Sequence, residues 1–548
     1  MTVPADDPND DLSAVVDVRV TGPAEAPDVV TTLVADEVAS RLAAKDATLW
    51  GPEAEDEAAK RLGWVDLAIT SRRLLPEIAD LVAGAQADGL DRVVLCGMGG
   101  SSLAPEVITA AAGRDLVVLD STDPDVVAPV VAADLDRTIV VVASKSGSTV
   151  ETDSQRRAFL AAFAAAGIDG ASRIVVVTDP GSPLEQLARD EGYRAVVLAD
   201  PDVGGRYSAL TAFGLVPSAL AGADISALLD QAAMVAPDLA IDDVTNPALV
   251  LGAALAGSDP LRDKTAIFEE ASDLPGFGDW AEQLIAESTG KRGVGVLPVV
   301  VDSDAPEVRW PAPDVLVAAV AAEGAHLATD AAHVGVAGTL GAQILLWETA
   351  TAVAGRLLGI NPFDQPDVES AKTATRGLLE ATPEPEPPLF VDDGIEVRGD
   401  PGLFGPTSDI AAADVAAAVA VLLDQVPERG YVAVMAYLDR HRDAELASTR
   451  TALALRTQRP VTFGWGPRFL HSTGQFHKGG PPVGVFLQIT GASASDLPVP
   501  DRPYTFGELI AAQAAGDAKV LAELGRPVLR LHLTDRAAGV ARLLEMLR

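Results

Sequence analysis

Arg92-Val93-Val94-Leu95-Cys96, running straight into Gly97-Met98-Gly99-Gly100-Ser101-Ser102, reads as a short apolar strand that ends in a glycine turn. Four more runs of the same kind follow: LVVLD (116–120), TIVVVAS (138–144), RIVVVTD (173–179) and AVVLAD (195–200). Each is apolar on both faces, and Ala-rich segments of helix length separate them. That pattern predicts a parallel sheet covered by helices on both sides. From about residue 245 a second α/β block begins, with TAIFEE, VGVLPVVV and a helix around 341–359. A third block offers YVAVMAYL, VTFGWG, VGVFLQIT and VLRLHLT as strands and ends in the helix DRAAGVARLLEMLR. Ahead of the first sheet, VVTTLVADEVASRLAA and SRRLLPEIADLVAGA carry apolar residues at spacings of three and four, the period of a helix. The fold class is therefore α/β, with two doubly wound parallel sheets and a C-terminal α/β block. The expected division is a helical segment over 1–86, a first domain over 87–240 and a second over 241–381. The Pro-rich stretch TPEPEPP (382–388) reads as a linker, and 389–548 as the C-terminal segment.

A chain of 548 residues is long enough for several cores without covalent staples. The formal charge of −38 repels polyphosphates and anionic lipid, so neither nucleic acid nor a membrane surface is an expected partner. Cys96 is the single cysteine, which excludes a disulfide framework and a Cys-rich zinc site. The start, MTVPADDPNDDL, is acidic and lacks an apolar core, so no signal peptide is expected. The most apolar stretch, 341–360, contains Glu348 and Arg356 and reads as a buried helix, not a membrane span. These features together predict a cytoplasmic protein.

Six motifs carry chemistry. In the glycine turn, Gly100 and Ser101 let the backbone approach a ligand, and the next helix offers free N–H groups to an anion. The turn lacks the nucleotide fingerprints GxGxxG and GxxxxGK[ST], so no nucleotide cofactor is expected, and a ligand-free tight turn is the bland alternative. The second loop, SKSGSTVET (144–152), places Ser144, Lys145, Ser146, Thr149 and Thr152 at a helix start. Its hydroxyls suit the oxygens of a phosphomonoester, although Ser and Thr also favour plain N-caps. Two such loops after neighbouring strands would lie together at the carboxyl edge of the sheet, where ligands bind in open α/β folds.

In Gly204-Gly205-Arg206-Tyr207-Ser208 the Arg206 fork could hold an oxyanion or a developing enolate, or simply pair with a carboxylate. Gln283 and Glu287 stand four apart on one helix face, with Gly290 as the C-cap, and Glu287 is a candidate general base unless it is a solvated surface glutamate. In NPFDQPDVESAK (361–372), Asp364 reads as an N-cap, and Gln365 and Lys372 share a helix face that either lines a cleft or is solvated. His471 and His477 lie in LHSTGQFHKGG (470–480) at a spacing that does not match a helical zinc pair, so no metal is expected. Either histidine is a natural proton shuttle, or a core or surface residue in a glycine-rich loop.

Taken together, GMGGSS, SKSGSTVET, GGRYSALTAFGLVP, the Q-x-x-x-E helix, NPFDQPDVESAK and LHSTGQ resemble glucose-6-phosphate isomerases. The likeness is greatest to the isomerase half of actinobacterial transaldolase/isomerase fusions. A fused transaldolase barrel would need about 250 more residues, so the isomerase alone is expected. The resemblance implies two sugar-isomerase (SIS-type) domains, no cofactor, a hexose 6-phosphate substrate and, from the family's usual state, a homodimer. It implies that Ser101, Ser144, Ser146, Thr149 and Thr152 hold the phosphate and that Arg206 stabilises an enediolate. Glu287 would move the proton between C1 and C2, Gln283 and Gln365 would line the sugar, and His471 would open the ring with Lys372. Because such a substrate is a dianion and the chain carries −38, the field at the cleft is expected to be reversed by Lys145, Arg206, Lys372 and the helix N-termini. In most of the family the histidine segment lies between the glutamate helix and NPFDQ; here it follows Lys372 by about a hundred residues. The chain therefore looks permuted, with the C-terminal block returning the histidine loop to the cleft. Some relatives place the histidine after Gly-Gln, which makes His477 a rival to His471. Two other readings remain open on the same loops: an isomerase that also takes mannose 6-phosphate, and a sugar-phosphate-binding regulator without catalysis.

Overall fold

The computed structural model describes residues 16–270, 274–325, 332–381, 386–399, 403 and 414–547. Its first strand, β1 (Val16–Val20), lies inside the segment expected to be helical. Val16, Val18 and Val20 alternate with polar residues, the period of a strand, and β1 pairs antiparallel with a strand more than 300 residues later. From Pro27–Ala35 to Leu75–Ala87 the described residues of this segment form a series of short helices.

The first sheet contains β2 (Arg92–Gly97), β3 (Val117–Leu119), β4 (Thr138–Ala143), β5 (Ile174–Thr178) and β6 (Ala195–Leu198). All its pairs are parallel, in the order β3-β2-β4-β5-β6. Every residue of β4 and β5 is buried, which is why those runs are apolar on both faces. The chain leaves β2 for β3 on one side and returns to β4 on the other. The switch point therefore falls between β2 and β4, at the glycine turn and the hydroxyl loop.

The second sheet is formed by β7 (Lys264–Glu269), β8 (Leu297–Val300), β9 (Val315–Ala321) and β10 (Val334–Gly338), with β1 on its edge, in the order β1-β10-β9-β7-β8. The helix Phe277–Thr289 connects β7 to β8, and the helix Leu340–Leu357 follows β10. That second helix is buried along nearly its whole length, Glu348 included. Among the described residues no helix is long and apolar enough to cross a membrane.

The third sheet holds β11 (Phe390–Asp392), β12 (Ile395–Gly399), β13 (Tyr431–Tyr437), β14 (Val461–Trp465), β15 (Gly484–Gly491) and β16 (Val528–Leu533). Its order is β11-β12-β16-β15-β13-β14; the four strands read from sequence are parallel, and β12 and β11 form an antiparallel edge. Of the linker stretch, residues 382–385 lie outside the described part.

Three continuous cores hold the sheets together. Leu95, Val141 and Val177 of the first sheet share one core with Ile267, Leu316 and Val334 of the second. Phe268, Val299 and Val317 of the second share another with Tyr431, Met435 and Phe486 of the third. The far face of the first sheet packs on Phe159 and Phe163 and reaches Val499 and Phe506 near the third. Each buried Val, Leu or Phe contributes about 1.5–3 kcal/mol. The polar seams add ion pairs: Arg468 reaches Asp120 at 2.7 Å and Glu106 at 2.6 Å, and Arg536 reaches the fully buried Asp123 at 2.7 Å.

Candidate active site

The glycine turn is the floor of the site, and its sequence follows from how closely its neighbours approach. A Cβ on Gly100 would sit 1.9 Å from the carbonyl oxygen of Gly205, so the two turns touch backbone to backbone. Gly99 has φ +55°, and a Cβ there would lie 2.8 Å from both Gln283 Nε2 and the His471 carbonyl oxygen. The Arg206 turn, the glutamate helix and the histidine loop therefore all close onto Gly99 and Gly100.

Arg206 is buried and anchored through its fork to the glutamate helix and the 362–365 loop. Nε donates to Ser288 Oγ (2.9 Å), Nη1 to Gln365 Oε1 (3.1 Å), and Nη2 to the carbonyls of Pro362 (2.7 Å) and Asp364 (2.9 Å). Nη1 also lies 3.5 Å from Glu287 Oε1. Glu287 is buried, not a solvated surface residue, and Gln283, one turn before it, donates to its Oε2 at 3.2 Å. The same Gln283 amide donates to the His471 carbonyl at 2.8 Å. His471, on the turn Arg468–His471 after β14, places Nε2 3.1 Å from Glu151 Oε1. The late histidine segment thus returns to the glutamate helix, and the site takes side chains from loops of all three sheets.

At the second loop, Thr149 precedes the helix Val150–Ala165 in an extended conformation, but its side chain does not cap the helix. Its hydroxyl bonds Ser144 Oγ at 2.8 Å instead, and Ser146 Oγ bonds Ser148 Oγ at 2.9 Å. Thr152 Oγ1 is buried with no hydrogen-bond partner among the described residues. The helix N–H groups are thus left without a side-chain cap, which argues against the plain N-cap reading.

Four expectations need correction. Lys145 does not turn a bare charge to the loop: its ammonium pairs with Asp179 at 2.5 Å. His477 is not in the cleft. It follows Gln475 by two residues on the helix Gly474–Gly479 and so points to the other side. There it stacks on Tyr431, meets the edge of Phe486 and bonds the Tyr431 hydroxyl at 3.0 Å. Burial, then Lys478 and Arg526, push its pKa down to about 3. Asp364 is not an N-cap and Gln365 does not share a helix face with Lys372, because the helix that carries Lys372 begins at Val368. Lys372 lies on that helix (Val368–Ala381), but its side chain is outside the described part.

Two residues beyond those given a role from sequence also build the site, Lys291 and Gln475, the second being the last residue of LHSTGQ. Lys291, just past the Gly290 C-cap, is buried and donates to the carbonyls of Asn361 (2.8 Å) and Asp364 (2.6 Å) and to Asp364 Oδ1 (2.7 Å). Burial and the nearby Arg206 push its pKa down to about 8, against the pull of Asp364. Gln475 ties the histidine helix to the Gly290 carbonyl at 2.9 Å and to Asp367 Oδ2 at 2.6 Å. Lysine scarcity could have singled out Lys291, and the polar slot two before His477 could have singled out Gln475.

The chain matches the family model of phosphoglucose isomerase over residues 78–316, which spans the first sheet and runs into β9. The probable glucose-6-phosphate isomerase of Natronomonas pharaonis is 32% identical over 371 residues, covering 59% of this chain and 86% of that protein. The glucose-6-phosphate isomerase of Synechococcus sp. (strain JA-3-3Ab) is 37% identical over 206 residues, covering 36% of this chain and 39% of that protein. Among solved structures, a hypothetical protein of Thermus thermophilus superposes with a TM-score of 0.54 at 27% identity, covering 64% of this chain and 97% of the other. A glucose-6-phosphate isomerase of Chlamydia trachomatis shares the fold, with a TM-score of 0.52 at 19% identity over 65% of this chain and 86% of its own.

Proposed function

The chain belongs to the glucose-6-phosphate isomerase family, and from that premise we infer that its cleft interconverts glucose 6-phosphate and fructose 6-phosphate with Glu287 as the base. The phosphate is held at the switch point by the hydroxyls of Ser101, Ser144, Ser146, Thr149 and Thr152 and by the uncapped N-terminus of the Val150–Ala165 helix. Gripping it there positions the reacting carbons, because remote binding energy serves orientation. His471, with Lys372, opens the sugar ring. Glu287 then takes the proton from C2 of the open aldose, leaving an enediolate; the hydroxyl proton passes from O2 to O1, and Glu287 returns its proton to C1 to give the ketose. Arg206 faces the developing oxyanion charge. The reaction moves a proton between adjacent carbons and needs no electron acceptor.

The observation that supports this most is that Glu287 meets Arg206 at 3.5 Å and Gln283 at 3.2 Å, and that the same Gln283 amide abuts the glycine floor at Gly99. Of the cations expected to offset a dianionic substrate on a chain of charge −38, Arg206 is buried beside the cleft. The test is a fructose 6-phosphate to glucose 6-phosphate assay coupled to a dehydrogenase. Glu287→Gln lowers kcat at least about a hundredfold; turnover close to that of the parent would remove Glu287 from the role.

A further inference from the structure

The contact between Glu151 and His471 has a third member. Gln513, on the helix Phe506–Glu523 of the C-terminal block, donates Nε2 to the same Glu151 oxygen, Oε1, at 2.7 Å. Its own Oε1 accepts from the Thr122 hydroxyl at 2.5 Å. The chain of bonds runs Thr122–Gln513–Glu151–His471 and joins the loop after β3, the C-terminal block, the hydroxyl-loop helix and the histidine turn. Thr122 is 0% exposed and Gln513 2%, so water does not compete for these bonds.

The order of donors along this chain is fixed. Turning the Gln513 amide over would set its oxygen against a carboxylate oxygen at 2.7 Å, two acceptors face to face. The amide therefore presents N–H to Glu151 and oxygen to Thr122, whose hydroxyl must donate. Glu151 Oε1 is then an acceptor, and the His471 nitrogen that shares it must carry a proton. A neutral imidazole has one N–H and one lone pair, so Nδ1 is left with the lone pair.

We propose that Gln513 is a positioning residue for ring opening, acting through Glu151 to hold His471 in its Nε2–H tautomer with Nδ1 free to accept a proton. The proposal rests on the reading of His471 as the ring-opening group. In the step, Nδ1 takes the proton of the anomeric hydroxyl and the carbonyl forms there. The bond from that carbon to the ring oxygen breaks, and the ring oxygen takes the proton from the imidazolium. The ring nitrogens end as they began, and no further reactant is consumed.

The test compares two substrates. Fructose 6-phosphate must be opened, whereas 5-deoxyfructose 6-phosphate lacks the hydroxyl that closes the ring. Gln513→Met removes the amide donor, and Thr122→Val, nearly isosteric, removes the hydroxyl that anchors the amide oxygen, so the N–H is held less firmly on Glu151. Each variant is expected to lose about tenfold or more in kcat/KM on fructose 6-phosphate while staying within about twofold on the 5-deoxy substrate. Thr122→Val keeps the question open to refutation if Gln513→Met folds poorly. A second readout is the ring 15N spectrum of histidine-labelled protein, with His471 assigned by its loss in His471→Gln. The parent shows the Nε2–H form and Gln513→Met a mixture of tautomers. Equal losses on both substrates, no loss on either, or an unchanged tautomer would each overturn the proposal. His471→Gln separates the premise from the proposal: if it does not itself discriminate between the substrates, ring opening by His471 is wrong and the proposal falls with it.

Discussion

Gly100→Ala adds one methyl group at the point where the site's two glycine turns meet. The added carbon would lie 1.9 Å from the Gly205 carbonyl oxygen, 2.5 Å from its carbon and 3.1 Å from the Arg206 nitrogen. All three are backbone atoms, so no side chain can swing away. Reaching ordinary van der Waals separation requires the turns to part by roughly 1.5 Å. Arg206 directly follows Gly205 and is held by Ser288, Gln365, Pro362 and Asp364, so the turn drags the guanidinium or tears it from these partners. A displacement of about 1 Å at a reacting group costs on the order of a hundredfold in rate, or about 2.7 kcal/mol of barrier. Overpacking of this kind also costs about 1–3 kcal/mol of stability. Coupled assays of kcat/KM beside urea unfolding separate the two losses. Gly205→Ala is the control, since its Cβ would meet nothing within 4 Å, and it should stay within about twofold of the parent. If Gly100→Ala keeps a third or more of the parent activity, or Gly205→Ala loses as much, the backbone contact does not set the position of Arg206.

The two histidines should separate cleanly: His477→Gln is expected to stay within about threefold of the parent, and His471→Gln to fall about a hundredfold on fructose 6-phosphate in the same assay. Because the His477 pKa is pushed down to about 3, the folded chain keeps this ring neutral while an unfolded chain protonates it below about 6.5. Its contribution to stability is therefore lost as pH falls from 6.5 toward 3, by about 1.4 kcal/mol per pH unit, and urea midpoints should show a shallower acid slope in His477→Gln. Lys291→Met leaves the 361–364 turn without its ammonium donor and should lower kcat/KM by roughly tenfold or more. With the Lys291 pKa lowered from 10.5 to about 8, the unfolded chain binds more protons between those values, so parent stability should rise across that window relative to Lys291→Met; a constant difference would show that the amine is not held this way.

The first sheet was legible because its strands are buried on both faces, and continuous Val and Ile runs such as 138–143 have no other stable use. The site was legible where a motif confines small or hydroxyl residues to a strand end, as at Gly100 and Thr149. What sequence concealed depends on distant partners. The segment VDVRV was overshadowed by the helical periodicity after it, and its pairing to β10 is invisible locally. The β11–β12 hairpin is short and follows a Pro-rich stretch, so it has little pattern of its own. His477 sits in a motif as polar as that of His471, and only the helix turn sends it into the core. Gln513 rides on an ordinary amphipathic helix, where nothing but the fold brings it to Glu151. Lys145 was misjudged because its neutralising partner, Asp179, comes from the loop after a different strand.

The pairing of β1 with β10 also sets a clock on the ribosome. At about 5–20 residues per second, the more than 300 residues between them take roughly 15–60 s to emerge. For that interval β1 is a nascent segment without its partner strand, the kind of bare edge that recruits wrong neighbours. Asp17 and Arg19, ion-paired at 2.7 Å on its outer face, give the waiting segment charges that discourage such contacts. Slow codons between the first sheet and β10 would lengthen that exposure, and soluble yield should fall accordingly.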